Sequence, residues 1–116
     1  MPRVTLQSRL PTIASSLRPR VSAAVKKGAE LVAEDARQRV AVGPPPEHIK
    51  DHIEVGRHEA AGYYVAATAR DEKGVPYAHM HEFGTTNHPP YPFLIPALES
   101  NAQNIENLVA ASLRGL

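Results

Sequence analysis

The sequence predicts a single α+β domain: a long N-terminal helix, a small antiparallel β-sheet, and a C-terminal helix packed on one face of that sheet. Two observations support this prediction. Apolar residues recur at helical spacing towards both ends of the chain, and apolar and polar residues alternate in its middle. The 116 residues suffice for one hydrophobic core. A sheet this small has exposed edges, which natural proteins often cover with another subunit.

The first helix is predicted over about residues 12–41, because apolar residues recur there mostly at every fourth position. Thr12 follows a proline and is a suitable N-cap. Pro19 is compatible either with a kink in this helix or with the first turn of a shorter helix capped by a preceding serine. Gly43 and the three prolines that follow it end the helix.

The middle of the chain, about residues 52–83, is predicted to form the strands. A short helical turn over 47–52 leads into Ile53 and Val55, which alternate with polar neighbours as in a half-buried strand. A second alternating segment covers 63–70, and the DEKG sequence after it is typical of a hairpin turn. VPYAHMHEFG is compatible with a third strand or a brief helical turn, and TTNHPPYP is predicted to be a loop.

The C-terminal helix is predicted over about residues 93–114. Pro96 falls in its first turn, where proline is tolerated. The apolar stripe that should face the core consists of Leu94, Leu98, Ile105, Leu108, Val109 and Leu113.

Composition excludes several classes of protein. There are no cysteines, so disulfides and thiolate metal sites are excluded. No apolar run approaches the roughly 18 residues of a membrane span, and the first residues lack the apolar core of a signal peptide, so we expect a soluble protein made in a cytoplasm.

Residues 1–40 carry eight Lys and Arg against three acids, and residues 41–116 carry five against nine. Such a basic half attracts nucleic acid or the acidic surface of a second copy.

Histidines are concentrated in AHMHEFGTTNH, residues 78–88, which holds three of the chain's six. A zinc site needs three or four converging ligands, and the His-Glu-x-x-His motif is absent because Thr85 stands at its last position. His79 and His81 would share one face of a strand, with His88 or a more distant histidine as third ligand. We favour the alternative of exposed histidines on a polar segment. No pattern indicates a catalytic nucleophile, a phosphate loop or paired carboxylates.

The segment around these histidines, PYAHMHEFGTTNHPPYPFLIPALES, resembles the neck or tail-completion (head–tail joining) proteins of long-tailed phages, the tail-component proteins of lambdoid siphophages. In that family a Pro-Tyr-Ala-x-x-apolar-Glu-Phe-Gly-Thr segment precedes a short loop, a Pro-Phe-Leu-x-Pro-Ala segment and a C-terminal helix. The resemblance extends over most of the chain from about residue 10. The matching residues are Pro76, Tyr77, Ala78, Glu82, Phe83, Gly84, Thr85, Pro92, Phe93, Leu94, Pro96 and Ala97. Two departures from the family pattern are the proline-rich turn after the first helix and the histidine at position 81.

The resemblance implies a structural virion protein of the neck, with no catalytic residue, metal or cofactor. It implies six or twelve copies closing as a ring around a channel, through which double-stranded DNA passes without sequence-specific binding. Neighbouring proteins would be the head-completion or connector proteins and the tail terminator or tail tube, and no membrane is involved. The alternatives are a tail terminator or tail-to-head joining protein, a small DNA-binding protein, and a metal-dependent hydrolase.

We expect the motif residues mainly to build the fold or, in some cases, to contact a neighbouring subunit. Gly84 would allow a sharp change of chain direction. Glu82 would cap nearby backbone amides or pair with a base of the first helix. Phe83 and Phe93 would be buried against the helices, and Pro92 and Pro96 would fix the direction of the last helix.

The charge asymmetry suggests a second set of contacts. Exposed bases of the first helix would meet the acidic later half of a neighbouring copy, so that copies join head to tail. The residues we expect in such charged contacts are Arg18, Arg20, Lys26 and Lys27.

Overall fold

A computed structural model describes residues 10–43, 45–58 and 62–114, with side chains from residue 17 onward. Over these residues the fold is α+β, as predicted. Its main elements are α1 (Leu10–Arg39), β1 (Ile53–Arg57), β2 (Tyr63–Ala67), α2 (Ala78–Phe83) and α3 (Leu94–Leu113). None of the described helices has the length and apolar character that a membrane crossing requires.

The first helix begins earlier than the sequence predicted. It starts at Leu10 and keeps Pro19 in its interior. Thr12 therefore lies inside α1 and is not its N-cap, a correction of the kind expected because sequence places helix ends only to within a few residues. A turn of 3₁₀ helix at Ile49–His52 confirms the short helical turn predicted before the first strand.

The long helices α1 and α3 pack antiparallel along a seam of small residues. At one end, Arg20 Nη1 donates to the carbonyl of Arg114 at 3.4 Å, and at the other Arg39 Nη2 donates to Ser100 Oγ at 2.8 Å. Between them a Cβ atom on Gly28 would lie 2.8 Å from Ile105 Cγ1. Because α3 ends opposite Arg20, the residues of α1 before that point extend roughly 15 Å beyond α3.

The sheet has two antiparallel strands, with Val55 opposite Val65 at the centre of the register. The predicted strand region, about 52–83, was too long. Beyond β2 there is an isolated bridge between Arg70 and Pro76, and residues 78–83 form the helix α2. The helical alternative allowed by the sequence is thus the correct one. The helical turn brings the side chain of residue 82 to the start of α3, where it makes hydrogen bonds described below.

The core lies where α1, the sheet, α2 and the start of α3 meet. Phe93 and Ile49 are its largest fully buried side chains. Around them lie Val32, Ala33, Ala36, Ile53, Ala69, Tyr77, Ala78 and Ala97. The stripe predicted for α3 was partly wrong, because Leu98 is 53% exposed and Leu113 42% exposed. Ala97 and Asn101 take the buried positions of that helix, and α3 packs chiefly against α1.

Candidate assembly surfaces

The carboxylate of Glu82 binds the first backbone amides of α3. It is 5% exposed, and its Oε1 accepts from the N–H groups of Phe93 at 3.2 Å and Leu94 at 2.7 Å. Its Oε2 accepts from the N–H of Ile95 at 3.4 Å. The first N–H groups of a helix lack intrahelical partners, and a negative charge at this end is favourable. The predicted capping role is therefore confirmed, and among the described residues Glu82 makes no ion pair with α1.

The loop after α2 turns back onto that helix. Gly84 has φ +75°, and a Cβ atom there would lie 2.8 Å from the backbone nitrogen of Pro90, so glycine is needed on both counts. Thr85 Oγ1 accepts from the N–H of His88 at 3.2 Å. The N–H of Tyr91 donates to the carbonyl of His81 at 2.7 Å. The expectation for Gly84 is confirmed, and Thr85 belongs to the same folded-back loop.

The two phenylalanines of the motif differ in burial. Phe93 is fully buried, as predicted, whereas Phe83 is 69% exposed, so the prediction for Phe83 was wrong. The buried face of α2 is formed by Ala78 and Glu82, four positions apart. Phe83 follows Glu82 directly and is rotated about 100° around the helix, towards solvent.

Tyr77 is buried next to the turn that follows α1. Its hydroxyl donates to the carbonyl of Glu47. Burial raises the pKa of Tyr77, and the nearby carboxylates of Glu47 and Asp71 raise it further. Ala78 beside it is buried as well. Both motif residues therefore serve the fold.

The two prolines of the second motif half lie on either side of the start of α3. Pro92 is exposed and ends the loop, and Pro96 is the third residue of α3, in its first turn as predicted. Both positions restrict the backbone where the chain turns into the helix.

The three histidines of the segment do not converge on one point, although His81 and His88 line a common cavity described below. His79 and His88 are exposed and His81 is half-buried. Because residues 78–83 are helical, His79 and His81 lie about 200° apart around α2 and share no face. The His81 ring instead meets the Tyr77 ring edge to face, with centroids 6.3 Å apart. In the described part of the chain, no three histidine or acidic side chains are grouped so as to hold a metal ion.

The four bases predicted as subunit contacts do not behave alike. Arg20 donates to the backbone carbonyl of Arg114, directly after the C-terminal end of α3, where a positive charge is favourable. The other three are exposed and make no ion pair within the described residues. We call this set the α1 cations: Arg18, Lys26 and Lys27. By contrast, Arg37 and Arg39 pair with Glu34 and Asp35 on their own helix.

A cavity of about 380 Å³ lies between α2 and the loop that follows it. We call it the Tyr91 cavity. Its aromatic and apolar walls come from Tyr77, Met80, His81, Pro89 and Tyr91, and Asp71 supplies a carboxylate. In the sequence, Asp71 has the pattern of a turn residue, and Met80 and Tyr91 carry no functional signal of their own. Nothing in their local pattern indicates a cavity, because the folded-back loop creates it.

A groove of mainly apolar character runs between β2 and α3, with α1 as its floor. It consists of two neighbouring cavities of about 310 and 200 Å³ that share Leu94 and Ile95. We call it the β2 groove. Its other apolar lining residues are Val25, Ala29, Val32, Tyr63, Val65, Ala67, Ala78, Phe83, Leu98 and Ile105.

Three residues of β2, Tyr63, Val65 and Ala67, line this groove. The N–H of Thr68 donates to the carbonyl of His52 at 2.8 Å. In this antiparallel register, every second residue of β2, counted back from Thr68, therefore forms hydrogen bonds with β1. The intervening residues Tyr63, Val65 and Ala67 therefore direct their backbone groups to the outer edge. No backbone bond from another described segment reaches them.

Comparison with known proteins gives no relative. No family model, no curated protein and no solved structure matches this chain.

Proposed function

We propose that this chain is a structural virion protein of the head-to-tail connection, or neck, of a tailed bacteriophage. Six or twelve copies assemble as a ring around the DNA channel, after synthesis in the bacterial cytoplasm. The motif resemblance supports the place in the virion. The observation that carries the assembly is the β2 groove, an apolar surface lined by a strand whose outer edge pairs with no other described segment.

The side chains around the groove support contact with further copies. Ile95 is 45% exposed, Leu98 53% and Phe83 69%, although all three are large and apolar. Contiguous apolar surface of this kind marks interaction sites, and unpaired strand edges are normally covered in natural proteins. A second copy is the occupant we assign to this surface, because a ring requires each copy to contact the next.

The distribution of charge supports contacts between unlike surfaces. The α1 cations lie between residues 18 and 27 of the chain, whereas most acids lie in its later part. Contacts between two different surfaces of the same chain are heterologous, and they close as a ring when the rotation between copies allows it. Complementary potentials also favour one partner orientation over others.

The proposed neighbours are a head-completion or connector protein on one side and the tail terminator or tail tube on the other. DNA passes through the channel without sequence-specific contacts. A tail terminator or tail-to-head joining protein of the same virion uses the same type of assembly. It remains the alternative proposal.

Native mass spectrometry of the purified full chain, with negative-stain electron microscopy, tests the proposal. We expect a closed oligomer of six or twelve copies with a central channel. Leu98→Asp places a charge in the groove and should lower the assembled fraction by at least about tenfold, because desolvating that charge opposes association. Gln103→Asp, on an exposed position rotated well away from Leu98, is the matched control and should assemble normally.

A chain that stays monomeric at every concentration would contradict the ring. A monomer that also binds duplex DNA with a steep loss of affinity in salt would favour the DNA-binding alternative. Equal assembly of the Leu98→Asp and Gln103→Asp variants would contradict the role of the groove.

A further inference from the structure

We propose that the Tyr91 cavity receives a lysine or arginine side chain from the α1 cations of a second copy. The charged end would lie against Asp71, and the apolar stem would lie among the aromatic rings and Met80. This inference rests on the proposed ring and names one of its contacts.

The carboxylate of Asp71 is held in place by hydrogen bonds to one of its oxygens, and the other oxygen is available to a ligand. Its Oδ1 accepts from the N–H groups of Lys73 at 2.8 Å and Val75 at 2.9 Å, which fix the turn. Its Oδ2 has no hydrogen-bond partner among the described residues. A fixed carboxylate with an open oxygen binds a cation without first losing side-chain freedom.

The walls of the cavity suit an amphipathic cation. The rings of Tyr77 and Tyr91 attract a positive charge placed over their faces. Met80 and Pro89 add apolar surface, on which a lysine or arginine stem packs while its head contacts polar groups. The volume of about 380 Å³ accommodates one such side chain.

Charge selects among the ligands that this cavity would take. Asp71 lines the cavity, and Glu47 lies near the Tyr77 wall. Both carboxylates raise the pKa of Tyr77, although burial is the largest cause of that shift. An anionic ligand such as phosphate would be repelled by these groups. His81, His88 and Asp71 all line the cavity, but within the described chain no three histidine or acidic side chains are placed so as to hold a metal ion.

An α1 cation in this cavity must come from another molecule. A Cβ atom on Gly43 would lie 3.0 Å from Tyr77 Oη, so the cavity adjoins the C-terminal end of α1. Lys27 precedes the last residue of α1 by roughly 18 Å along the helix axis, and Lys26 and Arg18 are farther away. A lysine side chain cannot cover that distance, so no copy fills its own cavity with an α1 cation.

The test uses variants of the full chain that leave the turn intact. Asp71→Asn keeps an oxygen for the N–H groups of Lys73 and Val75 but removes the charge. Glu72→Gln, its exposed neighbour outside the cavity, is the matched control. We expect Asp71→Asn to weaken association between copies by about tenfold and Glu72→Gln to leave it unchanged.

The lysines that would enter the cavity are tested independently with Lys26→Glu/Lys27→Glu, on exposed positions that make no ion pair among the described residues. We expect a similar loss, most pronounced at low salt, and a combined variant that loses little more than either one alone. Carbodiimide coupling, which joins carboxylates to lysine amines in contact, should link Asp71 of one copy to Lys26 or Lys27 of another.

The outcomes separate this inference from the proposed function. Assembly that persists unchanged in Asp71→Asn, with cross-links only at other carboxylates, would overturn the cavity contact and leave the ring standing. Absence of assembly in the unchanged chain would overturn both.

Discussion

Glu82 stabilises a helix to which it does not belong. Its carboxylate sits on α2, yet it accepts hydrogen bonds from three successive N–H groups at the start of α3. A buried carboxylate is costly unless such donors surround it, and here the helix end provides them. One side chain therefore fixes how the two helices are joined.

Replacing Glu82 tests this role. Glu82→Ala leaves buried N–H groups without an acceptor and should lower the free energy of unfolding by about 2–3 kcal/mol. Glu82→Gln keeps one acceptor oxygen and should cost roughly half as much. Urea denaturation followed by circular dichroism measures both. Glu99→Ala, at an exposed position of α3, is the control, and an equal loss there would contradict the capping role.

Tyr77 makes stability depend on alkaline pH. Because its pKa is raised in the folded state by burial and by the Glu47 and Asp71 carboxylates, the folded chain holds this proton more tightly than the unfolded chain. This contribution is fully present below the unfolded pKa near 10.0 and is lost as pH rises through the folded value.

We expect unfolding midpoints in urea to fall steeply above about pH 10 in the unchanged chain. Tyr77→Phe should be less stable near neutral pH, because the hydrogen bond to Glu47 is lost, but its stability should fall less steeply in alkali. Tyr91→Phe, at an exposed position, should keep the steep fall. Identical slopes in the two variants would contradict the assignment to Tyr77.

Individual residues were predictable where one local rule governs them. Gly84 has the positive φ that a sharp turn after a helix requires, and Glu82 precedes a helix start that needs an acceptor. Phe83 was not predictable, because aromatic character alone gives no direction around a helix. Its orientation follows from which neighbours are buried, and that depends on the tertiary fold.

At the scale of elements, the α1–α3 pair depends on small side chains. Gly28 of α1 lies against Ile105 of α3, which allows the helices to approach closely there, and the buried residues Ala24 and Ala29 lie near it along α1. The sequence indicated α1 through its larger apolar residues, several of which are only half-buried. Alanine and glycine carry little hydrophobic signal, so the apolar pattern indicates the helix but not its closest contact.

Gly28→Ala sets two effects against each other. Alanine gains up to about 1 kcal/mol of helix propensity over glycine. Its Cβ would meet Ile105 Cγ1 at 2.8 Å, and overpacking of this kind costs about 1–3 kcal/mol. We expect a net loss of about 1 kcal/mol in the free energy of unfolding.

A double variant separates these effects. Ile105→Ala removes the crowded atoms, so Gly28→Ala should become neutral or stabilising in that background, by thermal or urea denaturation. A loss of the same size in both backgrounds would show that the contact is not the cause.

The helix α2 shows why elements in this region were hard to assign. Six residues give too short a window to separate helical from strand periodicity, and HMHEF fits both. The decision comes from outside the segment. A strand would also place Ala78 and Glu82 on one face but roughly 13 Å apart, whereas the helix brings them to roughly 6 Å along its axis, with Ala78 in the core and Glu82 at the start of α3.

The whole molecule is long for its size. Its extents are 55 × 24 × 23 Å, and its radius of gyration is 17.5 Å, against about 13 Å for a compact chain of this length. An elongated chain exposes more surface relative to its core, and among the described side chains only Phe93 and Ile49 are both large and fully buried. Contacts with other copies would add to this modest core by mass action.

The surfaces of the molecule were the part least accessible from sequence. The Tyr91 cavity combines a turn residue, a short helix and a loop, and the β2 groove combines α1, a strand and α3. Each lining residue has an ordinary local role. Only the relative placement of distant segments creates the concave shape, and no local spacing rule encodes that placement.

The backbone bond from Tyr91 to His81 and the carboxylate of Glu82 together close the loop over 84–92 at its base. The start of α3 is thus set by α2 and not by the length of the chain in between. Residues 86–88 at the tip are exposed. We therefore expect a peptide tag or a fluorescent label inserted there to be tolerated without displacing either helix, because the bonds at the base of the loop hold both helices in place.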